Sequence, residues 1–192
     1  MRSVIFSCLA AAAFCAASSA HAQRPGGARA EITAGYELDG DWSSDDGAGG
    51  VRIGGTVGYD LPVSKHWILG IEAGAGQTLD TEVTSGPYHF VQGVSRIRGE
   101  RRAEFDLSVR AGARVAPKTL LFGKLGVVQQ RWKSELIDLP GDTLDRGHDS
   151  DLRVGAGIEQ DLGGRSYFKS EYRYTDSFTG RHQILAGLGV RF

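Results

Sequence analysis

The chain has 192 residues, room for one domain of ordinary size. Its 22 Lys and Arg against 23 Asp and Glu leave a formal net charge of −1, without the basic excess of a nucleic-acid-binding domain. Gly is abundant at 28 residues but has no G-X-Y period, which excludes collagen, and the 41% apolar fraction is too high for a disordered chain.

Arg2 supplies a positive start, and Val4 to Ala17 is an apolar run of 14 residues followed by Ala20-His21-Ala22. A charged start, a short apolar core and an A-x-A site are the grammar of a secretory signal peptide. Residues 1–22 are therefore expected to be removed between Ala22 and Gln23. The run is too short for a bilayer-spanning helix, which needs about 20 apolar residues. A buried N-terminal helix is the alternative. Both Cys residues, Cys8 and Cys15, lie in this segment, preceded by Ser7 and Phe14 in no lipobox-like context. The remaining domain, 23–192, has no Cys, so disulfides, thiol catalysis and Cys-based metal sites are excluded from it.

The remainder alternates apolar and polar residues with period two, the pattern of strands whose side chains point to opposite faces. Eight strands are expected, over 29–38, 51–61, 67–76, 102–115, 119–132, 151–162, 167–175 and 182–192. The clearest is 102–115, where Ala103, Phe105, Leu107, Val109, Ala111, Ala113 and Val115 interleave with Arg102, Glu104, Asp106, Ser108, Arg110, Gly112 and Arg114. In 119–132 the alternation blurs after Val128, where a bulge is expected because Trp132 has the other parity. Short connections (62–66, 116–118, 163–165) alternate with longer polar ones (39–50, 77–101, 133–150, 176–181). Short turns at one end and longer loops at the other are the layout of a transmembrane β-barrel.

Alternation does not say which face is inside, and a soluble lipocalin-like barrel would bury the apolar one. Several features favour the reverse. Tyr36, Tyr59, Trp67, Trp132, Phe168, Tyr174 and Phe192 sit on the apolar face near strand ends, as an interfacial girdle would. The polar face is dense in Gly, which solvent gives no reason for but a narrow lumen does. Its charges also balance. Arg29, Arg52, Arg102, Arg110, Arg114, Lys124, Arg153, Lys169, Arg173 and Arg191 face Glu31, Glu37, Asp60, Glu72, Glu104, Asp106, Asp151, Glu159, Asp161 and Glu171. Charges shut in a tube must find partners. The expected lumenal network centres on Arg52, Glu72, Glu104, Asp106, Arg110, Arg114, Lys124, Arg153, Glu159, Lys169, Glu171 and Arg173.

Gly35-Tyr36, Gly58-Tyr59, Lys124-Leu125-Gly126, Glu171-Tyr172-Arg173-Tyr174-Thr175-Asp176 and Leu188-Gly189-Val190-Arg191-Phe192 look like recurring pieces of one family. In these and its layout the domain resembles the eight-stranded outer-membrane β-barrels, the OmpA-type and opacity-type surface proteins of Gram-negative bacteria. The resemblance implies an all-β, antiparallel up-and-down barrel in the outer membrane. It also implies that Leu188, Val190 and Phe192 form a signal read by the barrel-assembly machinery. A trailing peptidoglycan-binding domain is not expected.

Catalytic chemistry is thinly represented. His148-Asp149-Ser150 is similar to the H-x-S of lipid A deacylases, but Asp151 stands where Asn is expected, and a polar loop is the plainer reading. His21, His66, His89, His148 and His182 show no metal-ligand spacing. Acidic groups at Asp39, Asp41, Asp45 and Asp46 and at Asp142, Asp145, Asp149 and Asp151 lack EF-hand spacing, so solvated loops are expected before a Ca²⁺ site. Arg96, Arg98, Arg101 and Arg102 form a basic stretch in the second long loop, where lipopolysaccharide is one partner and ordinary loop charge the other reading. The expected function is structural or surface-interacting, with lipid, lipopolysaccharide, the assembly machinery and host or surface ligands as partners. A narrow porin-like channel is the main alternative, a lipid A-modifying enzyme a lesser one. No cofactor and no nucleic acid are expected.

Overall fold

Strands form where apolar residues recur every second position, because a pleated backbone then gives one face to each solvent. In the computed structural model the described residues are 26–40, 49–79, 82–85, 96–137, 144–177 and 180–192, with the backbone alone described at Asp39, 82–85, 96–102, 131–137 and 144–149. The strands are β1 (Gly27–Asp39), β2 (Gly49–Pro62), β3 (Trp67–Thr78), β4 (Glu82–Ser85), β5 (Arg96–Ala116), β6 (Thr119–Ile137), β7 (Leu144–Gly163), β8 (Ser166–Asp176) and β9 (Arg181–Arg191). Each long strand pairs antiparallel with its chain neighbours, β3 pairs with β5, and β9 pairs with β1, so eight staves close into a barrel. The four-residue β4 prolongs the β3 position beside the loop end of β5.

A path of paired residues that leaves β2 at Leu61 runs through Leu69, Ala111, Gly123, Ala156, Tyr172, Ile184 and Tyr36 and returns to β2 at Val51, ten residues away. With a rise of ~3.3 Å and a strand spacing of ~4.8 Å, that stagger tilts the strands about 40° and gives a backbone radius of about 8 Å. Such an interior is one that side chains just fill.

The expected strands are present, but several run further toward the loop end. Residues 96–101, 133–137 and 144–150, read as loop from the sequence, extend β5, β6 and β7 because they pair with one another. Arg96 to Arg102 accordingly lie on a strand. The irregularity expected in 119–132 sits on the neighbouring strand. β6 stays in continuous register with β7, and the extra residue is on β5 between Arg101 and Glu104. A sequence shows that two strands lose phase, and only their pairing shows which carries the insertion.

The short turns have local causes. Ser64 Oγ accepts the N–H groups of His66 (3.2 Å) and Trp67 (3.1 Å), fixing the β2–β3 turn. Gly163 and Gly164 adopt φ of +98° and +64° in the β7–β8 turn, a region that side chains disfavour. Asp161 Oδ1 accepts the Gly163 N–H at 2.8 Å beside it.

The faces are inverted relative to a soluble protein. Along β5, Phe105, Leu107 and Val109 are 47%, 60% and 57% exposed, whereas Glu104, Asp106, Ser108 and Arg110 are buried. The same holds around the barrel, with Ile32, Val57, Ile71, Leu125, Val154 and Leu188 outside and Glu31, Thr56, Glu72, Lys124, Arg153 and Gln183 inside.

Candidate functional site

The interior is the most elaborate chemistry of the described residues. It is organised around two carboxylates. Glu72 on β3 receives Arg29, Arg110 (3.4 Å) and Lys124 (3.0 Å), and its Oε2 also accepts the Ser108 hydroxyl at 3.4 Å. Neighbouring acids share these cations: Arg110 pairs with Glu159 (2.6 Å), Lys124 with Glu171 (2.8 Å), and Arg29 with Glu31 (3.2 Å) and Asp60 (3.3 Å). Lys169 bridges Glu31 and Glu171, and Arg191 pairs with Glu159.

Nearer the loop end, Glu104 on β5 is held by three guanidinium groups, those of Arg52, Arg153 (2.6 Å) and Arg181 (2.8 Å). Arg52 also meets Glu37 at 3.3 Å, and Arg153 Nε donates to Thr175 Oγ1 at 2.8 Å. Arg173 joins the two groups, 2.7 Å from Glu171 and 3.9 Å from Asp106. Each buried charge therefore has opposite charges in contact, the condition under which burial is tolerated.

Glycines make the room. A Cβ on Gly74 would lie 2.5 Å from Asp106 Oδ1, one on Gly155 3.1 Å from Lys124 Cγ, and one on Gly157 2.6 Å from the Phe122 ring. An apolar layer lies among the charges toward the turn end. Ile68, Leu120, Phe122 and Tyr167 are buried there. The Arg110 guanidinium sits 4.7 Å above Phe122 and that of Arg191 4.1 Å above Tyr167, contacts that use the negative ring face. Tyr167 donates its hydroxyl to Glu31 at 2.9 Å.

Of the expected network, Arg52, Glu72, Glu104, Asp106, Arg110, Lys124, Arg153, Glu159, Lys169, Glu171 and Arg173 all lie in this interior. Arg114 does not join it. It is half-buried beside a register irregularity between Arg114 and Ala116, and its backbone N–H donates to His66 O at 2.7 Å. Arg181, read as loop, is a lumenal residue, and Ile68, Leu120, Phe122, Tyr167 and Leu185 are apolar residues that point inward. Their parity is the one sequence signal that points to them. Leu188 and Val190 are on the outer face, and Phe192 donates its N–H to Ala28 O at 2.8 Å where β9 closes on β1. Ala22, Gln23, Asp41, Asp45, Asp46, His89 and Asp142 lie outside the described residues. Ser150 is exposed on the outward side of β7, the parity of Leu152 and Val154.

Polar residues sealed in a β-cylinder with an apolar exterior require a surrounding lipid phase. The sequence matches the outer membrane protein beta-barrel domain over residues 6–192. The chain belongs to the outer-membrane β-barrel family. As a member, it resides in the outer membrane. Comparison with curated proteins gives no match. Among solved structures, the barrel is similar to Ail, the attachment invasion locus protein of Yersinia pestis, with 16% identity over 86% of this chain and 99% of that one and a TM-score of 0.56. Neisserial surface protein A is similar at 12% identity, 86% and 96% coverage and a TM-score of 0.55. The N-terminal barrel of Pseudomonas aeruginosa OprF is similar at 14% identity, 87% and 99% coverage and a TM-score of 0.54. Those likenesses concern the fold. In this outer-membrane barrel Tyr36, Tyr59, Trp67 and Phe168 are exposed on the outer wall, whereas the side chain of Trp132 is outside the described residues.

Proposed function

We propose that the protein is a structural and surface-interacting barrel, not a catalyst. The observation that carries this reading is the interior, where acids and bases from all eight staves meet in ion pairs with one another. Such a locked lumen supports a rigid frame on which the loops between staves are displayed. Similar barrels include one named for attachment and invasion and one named as a surface protein. Outer-wall lipid, lipopolysaccharide at the loop end and surface ligands on the loops are the proposed contacts. The signal peptide at 1–22 and recognition of Leu188, Val190 and Phe192 by the assembly machinery complete the proposal. Protease treatment of intact cells should cut the long connections and leave the barrel in the membrane, whereas resistance of those connections would contradict their display outside.

One observation favours a second reading, the narrow channel. Asp106 Oδ2, Arg110 Nη2, Arg153 Nη2 and Arg181 Nη2 are buried without a hydrogen-bond partner among the described residues, and lumenal water would satisfy them. In planar bilayers the closed reading predicts no stable single-channel steps. Reproducible conductance would establish the channel instead.

A further inference from the structure

The outer wall has a trough. It lies between the β2–β3 and β5–β6 hairpins and holds about 650 Å³. That volume is within the ~300–1,000 Å³ of ligand sites. Its sides are Tyr59, Leu61, Leu69 and Leu125, and Ala111 and Gly123 form its floor. Ala111 pairs with Gly123, and Gly123 with Ala156, so three adjacent strands present only a methyl, a hydrogen and a methyl at one level.

The packing around Gly123 leaves room for a side chain. The interior glycines are imposed by neighbours, as at Gly157 against Phe122, whereas a Cβ on Gly123 would find its nearest heavy atom, Gly155 O, 3.9 Å away. Gly in a strand costs stability, so one that the packing does not require marks a place where something approaches closely.

The end of the trough is basic. Leu61 and Leu69 flank the turn that carries exposed Lys65 and His66, and exposed Lys118 occupies the adjacent β5–β6 turn. Arg114 N–H donates to His66 O at 2.7 Å, which holds the first turn against the foot of β5. Neither turn contains an acid. Trp67, exposed and paired with Ala113, stands at the same level, where an aromatic ring suits the headgroup boundary.

We propose that this trough binds one acyl chain of an anionic phospholipid of the leaflet at the turn end, with its phosphate on Lys65 and Lys118. In barrels of this class the short turns are periplasmic, so the lipid belongs to the inner leaflet of the outer membrane. The apolar walls accept the chain, the bare floor lets it lie against the backbone, and the two lysines select the charge. A second copy of the chain fits less well, because a symmetric contact about this trough would bring the basic turns of both copies together.

The test uses the full barrel refolded into vesicles of equal phosphatidylglycerol and phosphatidylcholine, extracted in mild detergent and weighed by native mass spectrometry. The wild type should retain a single phosphatidylglycerol. Gly123→Leu fills the trough and should lower retention about tenfold or more, with the heat-dependent gel shift of the folded barrel unchanged. Should Gly123→Leu not fold, Ala111→Val makes the same test with a smaller group. Lys65→Ala combined with Lys118→Ala should keep a bound lipid but reduce the preference for phosphatidylglycerol about 25-fold, at about fivefold per lysine. Unchanged retention in Gly123→Leu would overturn the proposal, as would equal retention of both lipids by the wild type. A wild-type dimer that Gly123→Leu converts to monomer would assign the trough to a second copy.

Discussion

Glu104 and Phe105 are adjacent in the chain, yet one lies among three arginines and the other faces lipid. The inner and outer faces of this wall use the same backbone for opposite purposes. Inside, stability depends on partners, because a buried charge that loses its counter-charge keeps its desolvation cost without the attraction that offset it. Outside, it depends on transfer of single side chains into hydrocarbon, with little reference to neighbours. Substitutions inside should therefore be strongly coupled, and those outside nearly additive.

The largest expected effect tests the inner face. Glu104→Ala leaves Arg52, Arg153 and Arg181 without their shared carboxylate. Removing one partner of a buried ion pair costs about 3–5 kcal/mol, to be read from reversible urea unfolding in lipid vesicles. Replacing Arg181 as well should cost less than the sum of the two single changes. Strict additivity would mean that the network is not a unit.

The outer face comes next. Leu107→Arg places a cation in the lipid belt and should cost ~2–4 kcal/mol in the same assay. Its neighbour Ser108 points inward and donates to Glu72 at 3.4 Å. Ser108→Ala should cost only about 0.5–1.5 kcal/mol, the net worth of one hydrogen bond. Equal costs for the two variants would contradict the assignment of faces.

The last comparison separates two glycines. Gly157→Ala drives a methyl toward the Phe122 ring, at 2.6 Å, and should cost about 1–3 kcal/mol as overpacking. Gly123→Ala meets open space on the outer wall and should stabilise the barrel, by about 0.5–1 kcal/mol. A comparable loss at both sites would remove the distinction between a glycine the interior requires and one it does not.

Much of this architecture is legible in the order of the residues. The alternation in 102–115 assigns Leu107 outward and Arg110 inward, and glycines on the polar face signal the crowding that Gly74 and Asp106 display. Apolar residues at polar-face positions are harder to read. Ile68, Leu120, Phe122 and Leu185 carry the inward parity, but their chemistry alone gives no reason to prefer a lumen to lipid. Arg181 follows Gly180 and reads as loop, yet its partner Glu104 lies 77 positions away. Arg114 has the right parity and chemistry but sits beside an irregularity, and local spacing does not reveal whether a bulge takes a side chain out of a network.

By itself the amino-acid sequence determined the eight-stave barrel, its inverted faces and the charge balance of its interior. The strands follow from residues one and two positions apart, because the period of a strand is a local property, and the inversion follows from the aromatics on one face and the glycines and balanced charges on the other. Only the tertiary structure decided that Glu72 and Glu104 are the centres of the ion-pair network, that an aromatic layer lies toward the turn end, and that a bare trough opens beside Gly123. Those depend on which residues meet around a closed cylinder. The ten-residue stagger that fixes those meetings appears only when the last strand pairs with the first.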